Sequence, residues 1–193
     1  MIVRNILKKV ASILSLDDVV EGLNVYGIDE LTTLDEGVVK EIELMLTAFN
    51  LVNNIVATNY VNIDKVEKVK SDGKILYSSL NVGRVILSVK KVTNAKGLDV
   101  SFKLAYDGIV VHSGEYDVTY AVYPIDKKID DTINEYYCNI SDTIFTYGVA
   151  SEYLLIKGNI DDAVIYDTRF KQMLLDSTRP KHNIYMPCVR GMK

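Results

Sequence analysis

The chain opens on an apolar repeat of three and four residues: Ile2, Val3, Ile6, Leu7, Val10, Ile13 and Leu14, with Arg4, Asn5, Lys8, Lys9 and Ser12 between them. That spacing places the apolar residues on one face of an α-helix, so an amphipathic helix is predicted here. A short segment from Leu16 to Glu21 follows, and Gly22 and Gly27 predict a loop after it. Thr33 with Glu36 three residues on reads as a capping box, in which two side chains satisfy free amides at a helix start. It opens a second helix on Val38, Val39, Ile42, Met45, Leu46, Phe49, Val52, Ile55 and Val56, running to about Thr58. Asn50, Asn53 and Asn54 mark its polar face.

From Val61 to Tyr123 the period changes to two, as in Val66-Glu67-Lys68-Val69 and Ser101-Phe102-Lys103-Leu104. Asp72-Gly73, Lys96-Gly97, Asp107-Gly108 and Ser113-Gly114 interrupt the alternation, and pairs of this kind suit tight hairpins. The stretch predicts an antiparallel meander of five or six strands, closed at Tyr123-Pro124 because proline has no amide to continue a ladder. Helical spacing returns after Ser141 with Ile144, Phe145, Tyr147, Ala150, Leu154 and Leu155, stops at Gly158, and resumes with Ile160, Ala163, Val164, Phe170, Met173 and Leu174.

These elements predict an α+β fold: a helical bundle over residues 1–60 and 125–176, built from two N-terminal helices and a C-terminal αα-hairpin. Residues 61–124 form an inserted small antiparallel β domain, and residues 177–193 an extended basic C-terminal arm. Phe49, Val52, Leu154 and Phe170 lie on the stripes that face one another if the two helical halves close together.

Composition narrows the class. At 193 residues, 48% hydrophobic and 25% charged, the chain is globular rather than disordered, sized for one domain or one with an insertion. Its net charge of -4 argues against a general nucleic-acid binder, whose affinity rests on neutralised phosphates. The charge is unevenly spread. Arg179, Lys181, Arg190 and Lys193 follow Asp176 with no acid beyond it, so all 26 acids belong to the body. Ile184, Tyr185, Met186, Pro187 and Val189 interrupt these bases, an apolar cluster that a purely solvated terminus does not need.

Candidate chemistry is sparse. His112 reads as a surface histidine at a strand end, and neither it nor His182 neighbours a second ligand at metal spacing. Cys138 and Cys188 form no CxxC, which fits a reduced, intracellular history. Asp130-Asp131 falls in the polar linker Asp126 to Glu135, and Asp161-Asp162 in a first helical turn, where acids meet the positive end of the helix dipole. No phosphate-cradling glycine motif follows a strand. The 13 tyrosines include Tyr116, Tyr120 and Tyr123 at β positions, where core or sheet surface accounts for them. No apolar run approaches the roughly 18 residues of a membrane span, so a soluble protein without catalytic residues, metal or cofactor is expected.

The order of these parts resembles the head-tail connector, or portal adaptor, proteins of tailed bacteriophages and related prophage particles. Ala150-Ser151-Glu152-Tyr153-Leu154-Leu155-Ile156-Lys157-Gly158-Asn159-Ile160-Asp161-Asp162-Ala163 is similar to the Gly-turned hairpin that closes their bundle. Asp117-Val118-Thr119-Tyr120-Ala121-Val122-Tyr123-Pro124 is similar to the end of their β insertion, whose placement matches the tail-tubular adaptors of short-tailed phages.

The resemblance implies a structural virion protein in the neck, assembled in the host cytoplasm as a ring of about twelve identical subunits. One face would dock on the portal protein and the other on tail, stopper or collar proteins, with double-stranded DNA passing through the lumen. The C-terminal extension would reach into the portal, which makes Arg179, Lys181, Ile184, Tyr185, Met186, Pro187, Arg190 and Lys193 the expected portal-binding residues. Two other classes compete with this reading: a monomeric binding module that uses the β domain, and a carboxylate-dependent enzyme.

Overall fold

A computed structural model describes residues 1–27, 34–80, 84–136 and 140–178. Among them the chain is mixed helix and sheet, with six helices and two small antiparallel sheets of three strands each. The apolar repeat at the start folds as α1 (Val3–Ile13), which buries Val3, Ile6, Leu7, Val10 and Ala11. The expected loop at Gly22 is instead the interior of a helix, α2 (Asp17–Val25). Val19 and Leu23, four residues apart, both enter the core, and the buried Gly22 lies where α2 crosses Val38 and Ile42 of the next helix. A glycine that opens a loop and one that lets two helices meet are alike in sequence.

The second predicted helix is α3 (Glu36–Asn59), whose 24 residues extend about 36 Å. Thr33 of the expected capping box lies outside the described residues; Asp35 immediately precedes the helix. The polar face of α3 is not turned wholly to solvent. Asn50 accepts a hydrogen bond from the Lys127 amide at 2.8 Å and donates to the Lys127 carbonyl at 3.2 Å. Asn53 is buried, and the Tyr136 hydroxyl donates to its Oδ1 at 2.7 Å. A polar stripe on a long helix thus holds down the linker that follows the strands, satisfying backbone groups that have no ladder of their own.

Among the described residues the strand region has six strands, in an order other than a meander. The larger sheet runs β1 (Ile63–Ser71), β6 (Gly114–Val122), β3 (Ile86–Asn94). The smaller runs β2 (Lys74–Leu76), β5 (Gly108–Val110), β4 (Lys103–Ala105), and a one-turn helix α4 (Tyr77–Leu80) follows β2. Burial explains why β6 takes the centre. It carries Tyr116, Val118, Tyr120, Ala121 and Val122, all buried, whereas the outer strands β1 and β3 carry exposed lysines. The strand with most apolar surface gains most from neighbours on both edges. β1 pairs with it from Ile63–Val122 to Ser71–Gly114 without a break, while β3 pairs with two register shifts.

Two further helices, α5 (Asp142–Ile156) and α6 (Ile160–Thr178), form the predicted hairpin. α5 packs against α1, α3 and α6, whereas α6 packs chiefly on α5. Buried apolar residues gather in two clusters. One joins α1, α2, α3, α5 and α6 and includes Phe49, Val52 and Phe170, with Leu154 partly buried against it. The other joins the strands to Ala57 of α3, and Tyr136 packs against both. Among the described residues no helix is long and apolar enough to cross a membrane.

Candidate functional site

All eight residues expected to bind a portal, Arg179, Lys181, Ile184, Tyr185, Met186, Pro187, Arg190 and Lys193, lie outside the described residues. His182, Cys138 and Cys188 lie outside them as well. His112 is exposed just beyond β5, beside Ser101, Phe102 and Lys103. Among the described residues no three His, Cys, Asp or Glu side chains converge as metal ligands would.

Three of the four doublet carboxylates, Asp130, Asp131 and Asp162, have specific partners. Asp130 meets the Arg4 guanidinium in a two-pronged contact, at 2.7 Å from Nε and 2.9 Å from Nη2. The Arg4 hydrogen bond holds the Asp130 carboxyl below its ordinary value against a small opposing effect of burial. Arg4 also donates to the carbonyls of Leu23 and Tyr26, so it joins α1, the end of α2 and the linker. The linker is further fixed by backbone bonds from Val3 to Asp131 and from Arg4 to Ile129. Asp131 accepts from the Lys128 amide at 2.8 Å, and Asp162 from the Asn159 side chain at 2.7 Å. Tyr120 is fully buried and donates to the Leu80 carbonyl, and Tyr116 is buried.

A concave surface beside the helical core is a groove between the α1–α2 turn and the α5–α6 hairpin. It has two adjoining parts of about 550 and 540 Å³, which share Ser15, Leu16, Tyr153 and Lys157. One part is floored by Leu14, Leu154 and Ile165, with Tyr166 and Arg169 at its side. The Arg169 guanidinium stacks over the Tyr147 ring at 5.7 Å, and Tyr147 stacks on Tyr166 at 6.2 Å. The other part is lined by Asp17, Asp18, Asp35 and Glu41 around Val19 and Val38.

Local chain geometry builds both walls. Ser15 has φ +56° and closes α1, with its amide bonded to the Ser12 carbonyl and the Leu16 amide to the Ala11 carbonyl. Gly158, at φ +80°, closes α5 in the same pattern, through its bond to Leu155 and that of Asn159 to Leu154. Both are left-handed helix ends of the Schellman type.

Between the two parts, Glu41 of α3 accepts hydrogen bonds from the Tyr153 hydroxyl of α5 and the ammonium of Lys157 just after it. Partial burial raises the Glu41 carboxyl, but the bonds from Lys157 and Tyr153 outweigh it and hold the group below its ordinary value. Burial first, and then the Glu41 carboxylate, push the Tyr153 hydroxyl up. Asp17, Asp18 and Asp35 form no ion pair or side-chain hydrogen bond among the described residues. The groove therefore offers an apolar floor followed by a net negative part, with Asp17 and Asp18 in the first turn of α2 and Asp35 just before α3, a surface suited to a segment with apolar and basic side chains.

Nothing local in the sequence marks this groove. Asp17 and Asp18 fall in a short segment with no pattern of its own, and Glu41 and Lys157 are too distant in the chain for any local pattern to join them. No family model matches the chain, and no curated protein matches it.

Proposed function

We propose that the chain is a structural assembly protein, a head-tail connector (portal adaptor) subunit of a tailed bacteriophage or related prophage particle. It would dock on the portal vertex in a ring of about twelve copies and bridge capsid to tail around the DNA channel. The observation that carries this reading is the order of parts along the chain: helices, an antiparallel strand region, a Gly-turned αα-hairpin, then a basic segment without acids. In this reading the N-terminal helices and the hairpin are two halves of one bundle, with the strands spliced between them.

Two further features support it. Leu155, Ile156, Ile160 and Val164 are exposed around the tip of the hairpin, an apolar surface of the kind that ring neighbours cover. The acidic body suits a lumen through which DNA must slide, since each phosphate contact would add affinity and drag. The portal contacts are assigned to Arg179, Lys181, Ile184, Tyr185, Met186, Pro187, Arg190 and Lys193, and no catalytic turnover is assigned to the chain.

Mass photometry of the chain with and without the portal protein of the same particle tests the reading. A ring-sized mass increment on the portal is expected, and deleting Pro180 to Lys193 should abolish it while the far-ultraviolet circular dichroism of the body is kept. A portal that gains no mass from the full chain would overturn the connector assignment.

A further inference from the structure

We propose that the groove between the α1–α2 turn and the α5–α6 hairpin is the docking site of the chain's own residues 179–193, bound within the same molecule. The proposal concerns the chain free of a portal and does not rest on the portal reading, which assigns the same residues to the docked state. It rests on three matches between the groove and the segment.

The first match is chemical. The segment carries four bases and no acid, with Ile184, Tyr185, Met186 and Val189 among them. The groove joins an apolar floor to Asp17, Asp18 and Asp35, which have no partner among the described residues. The net negative charge of that part favours such a partner, and burial of the apolar cluster supplies affinity that charge in water does not.

The second match is order. Along α6 from Thr178, a strand returning on the helix meets the part of the groove floored by Ile165, Leu154 and Leu14 before the acidic part, which α6 does not line. After Arg179 and Lys181 the segment presents its apolar cluster, and Arg190 and Lys193 come last. Apolar thus meets apolar, and base meets acid, in a single direction of travel.

The third match is reach. Ile165 lies about 20 Å up the helix from Thr178, at 1.5 Å per residue. Extended chain covers about 3.3 Å per residue, so Ile184 arrives at about that distance and Lys193 reaches far enough for the acids. A tether this short gives an effective concentration of order millimolar, which favours the same molecule over a second copy at micromolar concentration. Pro180 and Pro187 lower the conformational cost of ordering the segment.

The test uses the unmodified full chain, mixed from equal parts of ordinary and ¹⁵N-labelled protein and treated with a carbodiimide, which joins lysine amines to nearby carboxylates. Mass spectrometry should find Lys193 linked to Asp17, Asp18 or Asp35 in isotopically uniform peptide pairs. The double variant I184S/Y185S keeps every base and leaves the folded body untouched, and its yield of that link should fall at least fivefold. Absence of the link, or isotopically mixed pairs in statistical proportion, overturns the proposal, the latter naming a second copy as the occupant. An unchanged yield in the double variant also overturns it, because a lysine sweeping past the acids at random needs no apolar anchor. No portal protein enters the experiment, so its failure leaves the connector assignment standing.

Discussion

The ring of Phe170 lies against the backbone of Gly148, so close that a Cβ at position 148 would stand 3.0 Å from the ring atoms Cδ2 and Cε2. On the other side the same Cβ would meet Val52 Cγ1 at 2.8 Å. Gly148 is therefore the point on α5 where α3 and α6 both close in, and any side chain there must push one of them away. Gly148→Ala should destabilise by about 1–3 kcal/mol, as overpacking of a filled core does. Phe170→Ala should cost about 3–5 kcal/mol, because the buried ring leaves a cavity. The two losses should not add, since the cavity relieves half of the clash at position 148. Urea denaturation of the two single variants and the double variant measures all three quantities.

Arg4 and Asp130 form one ion pair with unequal stakes. Arg4 is buried and also serves the carbonyls of Leu23 and Tyr26, whereas the Asp130 side chain is 65% exposed. Arg4→Lys keeps the charge but not the fork that reaches three partners, and should cost about 2–3 kcal/mol by leaving a buried carbonyl without a donor. Asp130→Asn should cost less than about 1 kcal/mol, as for exposed ion pairs. Comparing the denaturation midpoints of the two variants checks the ratio; equal losses would show that the ion pair, not the carbonyl bonds, carries the stability.

Glu152 faces Asp167 across the α5–α6 contact, and its carboxyl is raised, first by burial and then by the Asp167 charge, with Lys171 opposing. An acid whose folded value lies above its unfolded value of 4.5 binds its proton more tightly in the folded state. Stability therefore falls as pH rises from below that value through the raised one. Glu152→Gln removes the penalty, so its melting temperature should exceed that of the parent at pH 7, and the gap should close below pH 4.5. A gap independent of pH would show that the side-chain volume, not its charge, matters at this contact.

The two ends of the groove show what the chain's own letters determine. Gly158 announces the end of α5, because only glycine takes a left-handed φ without cost and the apolar spacing stops there. Ser15 closes α1 with the same backbone pattern, at a cost of about 1 kcal/mol that the packing of Leu16 and Val19 absorbs. Nothing about a serine predicts it. The helices α1, α3, α5 and α6, the strand region and the basic, apolar segment 179–193 follow from local periodicity and charge, which depend on near neighbours alone.

The rest was decided by contacts between residues far apart in the chain. β6 enters between β1 and β3 because it is the most apolar strand available to the sheet, a comparison among strands that no single strand contains. Gly22 is helical because α3 passes over it, and Asn50 and Asn53 are occupied because the linker runs back along them. The groove depends most on tertiary structure. Its acids come from α2, the residue before α3, and α3 itself, and its floor from α1, α5 and α6. Those side chains acquire a common surface only when the helices pack, since burial is a property of the assembled core rather than of any segment.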